Sequence, residues 1–377
     1  MKKDKTWLIV HEEPLAGYSL PNIFRVLWDN SFRIHPKYIL RFLYAIVLSL
    51  ITAPLRIIQK ILFHKKIKNT KIVEDPIFII GHYRTGTTYL MTLMAHDKSK
   101  GYVSNIEGYT PLFYLAFPKF TRWLIESSLP DVRPMDNVIM GADEPTEEEY
   151  TIGTFTRYGY YTGFIFPRNF DLYSKFLTFE GMSKHRKKWK KAYYYMTQLL
   201  TLGHGGKQLF LKNPTTSYRI PDILEMYPNA KFIHTYRNPY EVYSSTVKFF
   251  DEVFAIYTLQ TWDKEKMKKD ILNNYKLLYD RLEQNLHLIP KDRIIHSKYE
   301  DFIKNPVESF ELIYKKLNIN GWDESKKDII AYANSQKREY KPNIHNIDND
   351  VIRRVNDHWD KMREDYGYEK LEPRVKL

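Results

Sequence analysis

Three basic side chains stand where short apolar runs end: Arg84 after PIFIIG, Lys212 closing QLFLK and Arg237 closing FIHTYR. Each puts a fixed positive charge at the end of a strand-like segment, which is where ligands sit in open α/β sheets. Around Arg84 the spacing is G-x-x-x-x-G-T-T, running from Gly81 through Gly86 to Thr87 and Thr88. Two glycines at that spacing permit a tight turn that wraps backbone N–H groups round an anion, and the helix that follows adds its positive end. A loop for the end of ATP would read G-x-x-x-x-G-K-[ST]; here Thr87 takes the place of the lysine. A nucleotide triphosphatase also carries an acidic residue at a strand end to hold Mg²⁺, and these ends are basic. The pattern suits a polyanion bound without a metal, its charge neutralised by the protein. Ser245 lies eight residues beyond Arg237, two turns into a helix-like stretch. The pair suits a second, separate phosphate.

These residues need a sheet to position them. From residue 76 onward, short β-rich runs alternate with helical ones: PIFIIGH then TTYLMTLMAHD, KQLFLKN then IPDILEMY, KFIHTYRN then YEVYSSTVKFF, DRIIHSKYED then PVESFELIYKKL. Repeated strand–turn–helix units predict a parallel sheet. The expected fold is α/β: a P-loop-like three-layer fold with a central parallel sheet flanked by helices, plus an N-terminal helical extension. Residues 1–70 would form the extension and 71–377 the catalytic domain. Residues 101–206, rich in Tyr and Phe, read as helices and loops over the sheet's active edge. A short charged helix is expected near 351–364.

Composition narrows the chemistry further. The 377 residues contain no cysteine, which excludes a disulfide scaffold, a thiolate metal site and a cysteine nucleophile. The twelve histidines show no metal-ligand spacing. A net charge of +13 attracts anions, whether nucleic acid, an anionic membrane or a polyanionic co-substrate. The start, MKKDKTWLIVHEEPLAG, does not read as a secretory signal. Residues 42–55, FLYAIVLSLITAPL, are strongly apolar but short of the roughly 20 residues a spanning helix needs, and Pro54 disfavours helix continuation. Arg41 and Arg56 flank the run, and HKKIKNTK follows it. Within residues 38–57 this gives either a helix lying in a membrane surface or one packed on the domain, and both readings stay open. The first would place a cytoplasmic protein peripherally on the inner face of the membrane.

In these motifs the chain resembles the sulfotransferases that use 3′-phosphoadenosine 5′-phosphosulfate (PAPS). GHYRTGTTYL resembles that family's 5′-phosphosulfate loop, G-x-x-R-[ST]-G-T-T, and YRNPYEVYSS its 3′-phosphate motif, R-[DN]-P-x-[DE]-V-x-x-S. The resemblance covers residues 77–317 and points to the broad bacterial and tyrosylprotein-like branch. It implies PAPS as co-substrate, no metal, and in-line sulfuryl transfer to a hydroxyl or amine. Arg84 and Lys212 would stabilise the developing charge. Thr85, Gly86, Thr87 and Thr88 would hold the 5′-phosphate, and Arg237 with Ser245 the 3′-phosphate. Glu107 follows the loop helix where the resembled branch carries its base. His82, inside the loop, is the lesser candidate and is expected to support the turn. Within DEPTEEEY, Glu148 is the expected acceptor-site residue, although Asp143 and Thr146 could equally cap a helix. Tyr299 is placed near adenine, or alternatively in the core. Lys341 and Asn343 sit where the family's late loop folds over the cofactor, but the usual glycine-rich form of that loop is absent. Arg219, after the LKNP block, either lines the site or, as the default expectation, is solvated. The acceptor would be a small molecule, a glycan or a lipid-linked molecule in an aromatic-walled cleft. The rival readings are a P-loop nucleotide kinase and a basic nucleic-acid-binding protein. The sequence is silent on oligomeric state.

Overall fold

The computed structural model describes residues 3–130, 132, 139–339 and 347–374. One sheet runs in the order β2-β3-β1-β4-β5, with β1 at Ile77–Gly81, β2 at Gly101–Tyr102, β3 at Leu209–Lys212, β4 at Lys231–Tyr236 and β5 at Ile294–Lys298. The pairs β3–β1, β1–β4 and β4–β5 are parallel. Four of these strands are the four expected runs. The two-residue β2 is too short to leave a pattern. Every residue of β1 is buried, as an apolar run covered on both faces must be. The helices used below are α1 (Leu20–Asp29), α2 (Ile39–Asn69), α3 (Thr87–Ala95) and α4 (Asn105–Tyr109). The architecture is the expected α/β fold with a helical N-terminal region.

The chain divides into two compact units. One comprises Asp75–Lys100, Phe210–Phe249 and Asp263–Leu377. In it Phe78 of β1 stacks on Phe232 of β4 at 5.7 Å between ring centroids. The expected C-terminal helix is Asn349–Asp365. Its Trp359 is buried, and the indole N–H donates to the Leu272 carbonyl at 3.0 Å.

The other unit comprises Met1–Glu74, Gly101–Leu209 and Phe250–Trp262, so the N-terminal segment clusters with the middle of the chain. Phe164 lies at the centre of an aromatic cluster with Phe170, Phe250 and Phe254. A second core gathers Ile67, Ile106, Tyr114, Ile125 and Leu199.

Helix α2 departs from the expectation. It continues through Pro54 and reaches 31 residues. Its two arginines do not flank a membrane face. Arg41 is fully buried and donates to the carbonyls of Thr6, Ile9, Ala255 and Thr258. Arg56 donates to the carbonyls of Tyr18 and Ala16. These bonds hold one side of the helix against the unit and offset the backbone bond that Pro54 removes.

Arg41 also lies near Glu13, whose carboxyl burial pushes up to about 8 while the guanidinium pulls it the other way. Replacing Arg41 with methionine keeps the bulk, takes a donor from four carbonyls, of which Thr6 keeps the Ile9 N–H, and removes that guanidinium. The expected cost is about 3–5 kcal/mol of stability at neutral pH, read from urea denaturation against the wild type.

Candidate active site

Strand β1 ends in a backbone that only glycine can follow. Gly81 has φ +134°, and a Cβ there would lie 2.3 Å from the Thr235 carbonyl oxygen on β4. Its N–H donates to Ser217 Oγ at 2.9 Å. The loop is then tied down residue by residue. Thr85 Oγ1 donates to the His82 carbonyl and meets Thr235 Oγ1, both at 2.8 Å. Arg84 takes a left-handed φ of 68°, which costs on the order of 1–3 kcal/mol in a non-glycine residue. Gly86, at φ +88°, is the N-cap of α3, and no side chain caps that helix. The first-turn amides of α3 therefore end in a cradle without a side-chain acceptor, which fits a phosphate or phosphosulfate group.

His82 braces the loop from behind. Its ring stacks on Tyr275 at 3.9 Å, and Nδ1–H donates to the Tyr83 carbonyl at 3.0 Å. Tyr275 in turn meets Trp359 edge-on. Burial lowers His82 to about 3, so the ring is neutral and serves the turn.

The cations collect on this loop. Arg84 Nε donates to Ser245 Oγ at 2.8 Å. Arg237 Nη1 donates to the Arg84 carbonyl at 3.4 Å, and Nε donates to Glu241 at 2.9 Å. The guanidinium of Arg237 also lies over the Tyr299 ring, 4.1 Å from its centroid. Tyr299 covers Gly86, where a Cβ would come within 2.4 Å of its ring. The structure thus brings together Arg84, Gly86, Arg237, Ser245 and Tyr299, residues spread over more than 200 positions. Thr87 and Thr88 open α3 beside them. Lys212, the last residue of β3, is buried and stands opposite Ile79 of β1. Arg219 is not solvated, contrary to expectation. It is buried, with Nη1 donating to Thr215 Oγ1 at 3.4 Å. Lys341 and Asn343 lie outside the described residues.

Two acidic residues escaped the sequence reading. Glu241 aligns Arg237 from one helical turn away, and Glu300 accepts the Asn238 N–H at 3.1 Å and the Tyr368 hydroxyl at 2.7 Å. Glu241 sits at the acidic position of the second motif, so its signal was present. Glu300 had none.

In the other unit, Glu107 is buried at the third position of α4 and closes a capping box with Ser104. Its Oε2 accepts from the Ser104 N–H and Oγ, both at 2.9 Å. His204 Nε2 lies 3.0 Å from Glu107 Oε1 and 2.7 Å from the Tyr102 carbonyl. Burial alone would lower the His204 pKa, but the Glu107 carboxylate outweighs it and the net shift is upward. Nothing in the sequence linked positions 107 and 204. Glu148 is fully buried in the first turn of helix Glu148–Phe155 and accepts from the Tyr193 hydroxyl at 2.9 Å. Burial raises its carboxyl to about 7, assisted by Glu149 and Glu147. Asp143 pairs at the surface with Arg122.

A sheet whose strand ends converge on an anion loop, with arginines as the charge-bearing groups, defines an α/β group-transfer enzyme for a phosphate-like donor. The chain belongs to the sulfotransferase family, whose pattern matches residues 76–324, and it is a PAPS-dependent sulfotransferase. It is similar to the ω-hydroxy-β-dihydromenaquinone-9 sulfotransferase Stf3 of Mycobacterium bovis and of Mycobacterium tuberculosis. Each is 29% identical over 362 residues, covering 95% of this chain and 92% of the relative. In fold it is similar to sulfotransferase STF9 from Mycobacterium avium, with a TM-score of 0.67 at 18% identity over 90% of this chain and 88% of that one. Sulfotransferase STF1 from Mycobacterium tuberculosis H37Rv gives 0.56 at 18% identity, over 78% and 80%.

The Glu148 carboxyl carries a testable pH dependence. Its folded pKa is raised, so its contribution is fully present below the unfolded value and is lost as pH rises through about 7. Between pH 5 and 8 the wild type should lose on the order of 3 kcal/mol relative to Glu148→Gln, measured by denaturant unfolding at both pH values.

Proposed function

We propose that this sulfotransferase acts on a hydroxyl of a lipid-linked acceptor at the membrane surface, with the donor held by the loop of Gly81 to Thr88. The acceptor oxygen attacks sulfur, the bond from sulfur to the bridging phosphate oxygen breaks, and 3′,5′-adenosine bisphosphate departs. Arg84 and Lys212 neutralise the charge that develops on the sulfonate and the departing phosphate. Thr85, Gly86, Thr87 and Thr88 hold the 5′-phosphate, and Arg237 with Ser245 the 3′-phosphate. Tyr299 lies against adenine. Glu107 takes the acceptor proton, with His204 and Ser104 fixing its carboxylate, and Glu148 shapes the acceptor site. The observation that carries the donor assignment is the cluster of Arg84, Ser245, Arg237 and Tyr299 round the loop. The lipid-linked acceptor rests on the relatives named for an ω-hydroxylated menaquinone. The enzyme is placed in the cytoplasm, in peripheral contact with the membrane.

Arg237→Ala should weaken 3′,5′-adenosine bisphosphate by about 1.5–3 kcal/mol, the value of a charge-assisted hydrogen bond, and barely change 5′-AMP. Equal losses for both ligands in calorimetry would take Arg237 out of the 3′ site.

Glu107→Gln keeps the shape but cannot accept a proton. Turnover should fall about 10²–10⁴-fold with bisphosphate affinity unchanged. A variant with native melting temperature and near-native rate would move the base elsewhere.

A further inference from the structure

We propose that the outer face of α2, together with an aromatic group on α1, docks the protein onto an anionic lipid bilayer with α2 lying in the plane of the headgroups. The surface is defined within one unit, and its argument is independent of the transfer chemistry.

Helix α2 is built inside out. Its buried side presents Arg41, Ala45, Ser49, Thr52 and Gln59, spaced as one helical face, and only near its end the apolar Ile67. Thr52 Oγ1 donates to the Leu48 carbonyl of its own helix, but the others bond inward: Ser49 Oγ to the Tyr18 carbonyl at 2.8 Å, and Gln59 Nε2 to the Pro111 carbonyl at 2.8 Å. The opposite side carries Leu43, Val47, Leu50, Ile57 and Ile61, all exposed and again at intervals of three, four or seven. A stripe of this length exceeds the scattered apolar exposure of an ordinary surface. Helix α1 adds a second exposed group, in which Phe24, Trp28 and Phe32 pack on one another at 5.5–6.4 Å between ring centroids.

The helix is long and apolar enough to cross a membrane, but its bonds argue against a span. Crossing would tear Arg41, Ser49, Arg56 and Gln59 from carbonyls of their own unit and leave them in hydrocarbon. Lying in the interface keeps every one of those bonds and buries only the stripe.

Charge identifies the occupant. Residues 20–73 hold ten Lys and Arg against one acidic residue, Asp29. Asp29 is paired with Arg157 at 2.9 Å. Arg41 and Arg56 point inward. The other eight are exposed at the two ends of the stripe: Arg25, Arg33 and Lys37 before it, and five lysines between 60 and 71 after it. Two copies joined through this face would bring like charges together, whereas an anionic bilayer neutralises them.

The test is flotation of the full-length protein with mixed phosphatidylglycerol–phosphatidylcholine vesicles, beside phosphatidylcholine alone. Binding is expected to the mixed vesicles at low salt, with release by high salt or alkaline carbonate. The double variant Leu50→Glu/Ile61→Glu should bind at least about tenfold more weakly while keeping its melting temperature and its affinity for 3′,5′-adenosine bisphosphate. Brominated lipid should quench the wild type more than Trp28→Phe. Absence of wild-type binding, or equal binding by the double variant, overturns the proposal. So does a stripe-dependent dimer in sedimentation, which would make a second copy the occupant, or retention that only detergent reverses, which would indicate a span.

Discussion

The active edge depends on one close approach, that of β1's last residue to β4. A Cβ at Gly81 would lie 2.3 Å from the Thr235 carbonyl oxygen, so glycine is what lets the loop take its path. Along it Thr85 meets Thr235, Arg84 is driven left-handed, and α3 opens at Gly86 beneath Tyr299. The sheet register then does the rest. Gly81, Thr235 and Ser297 stand on one level across β1, β4 and β5. Arg237 and Tyr299 each come two residues beyond that level, just past the ends of neighbouring strands, which is why guanidinium and ring stack.

That geometry fixes positive charge before any ligand arrives. A guanidinium is planar and directional, and it loses less freedom on bonding than an ammonium does. Arg84 is oriented by Ser245. Arg237 is oriented by Glu241 on one edge and Tyr299 on one face. Charges held in this way need little reorganisation as a transferred group becomes more negative. The Glu241 carboxylate tempers the charge of the arginine it aligns.

What was legible in the sequence was local. Strand–turn–helix alternation located four strands because each is an apolar run of at least four residues closed by a turn. The two motifs located the cluster of Arg84, Arg237 and Ser245 because these side chains and the turns that aim them share a few positions. Contacts between segments distant in sequence were not legible. Gly86 beneath Tyr299, Asn238 on Glu300, and Glu107 against His204 depend on register and packing that leave no periodicity. Burial was misjudged at Arg219 for the same reason. An arginine reads as solvated until the groups that accept its protons are known.

Helix α2 shows where pattern reading fails on physical grounds. Amphipathicity analysis assumes that the apolar face is the inner one. Here the inner contacts combine apolar packing at Ala45 and Ile67 with hydrogen bonds to main-chain carbonyls of neighbouring segments, which need Arg41, Ser49, Arg56 and Gln59 as donors. The same inversion accounts for Pro54. Proline removes one backbone donor and crowds the preceding turn, a defect that breaks a helix held only by its own ladder. Pro54 lies on the exposed side, while the opposite side is fixed to the unit at Ser49 and Arg56 before and after it. A proline on the inner side would have displaced the donors themselves. On the outer side it leaves them in place, and the helix runs on to Asn69.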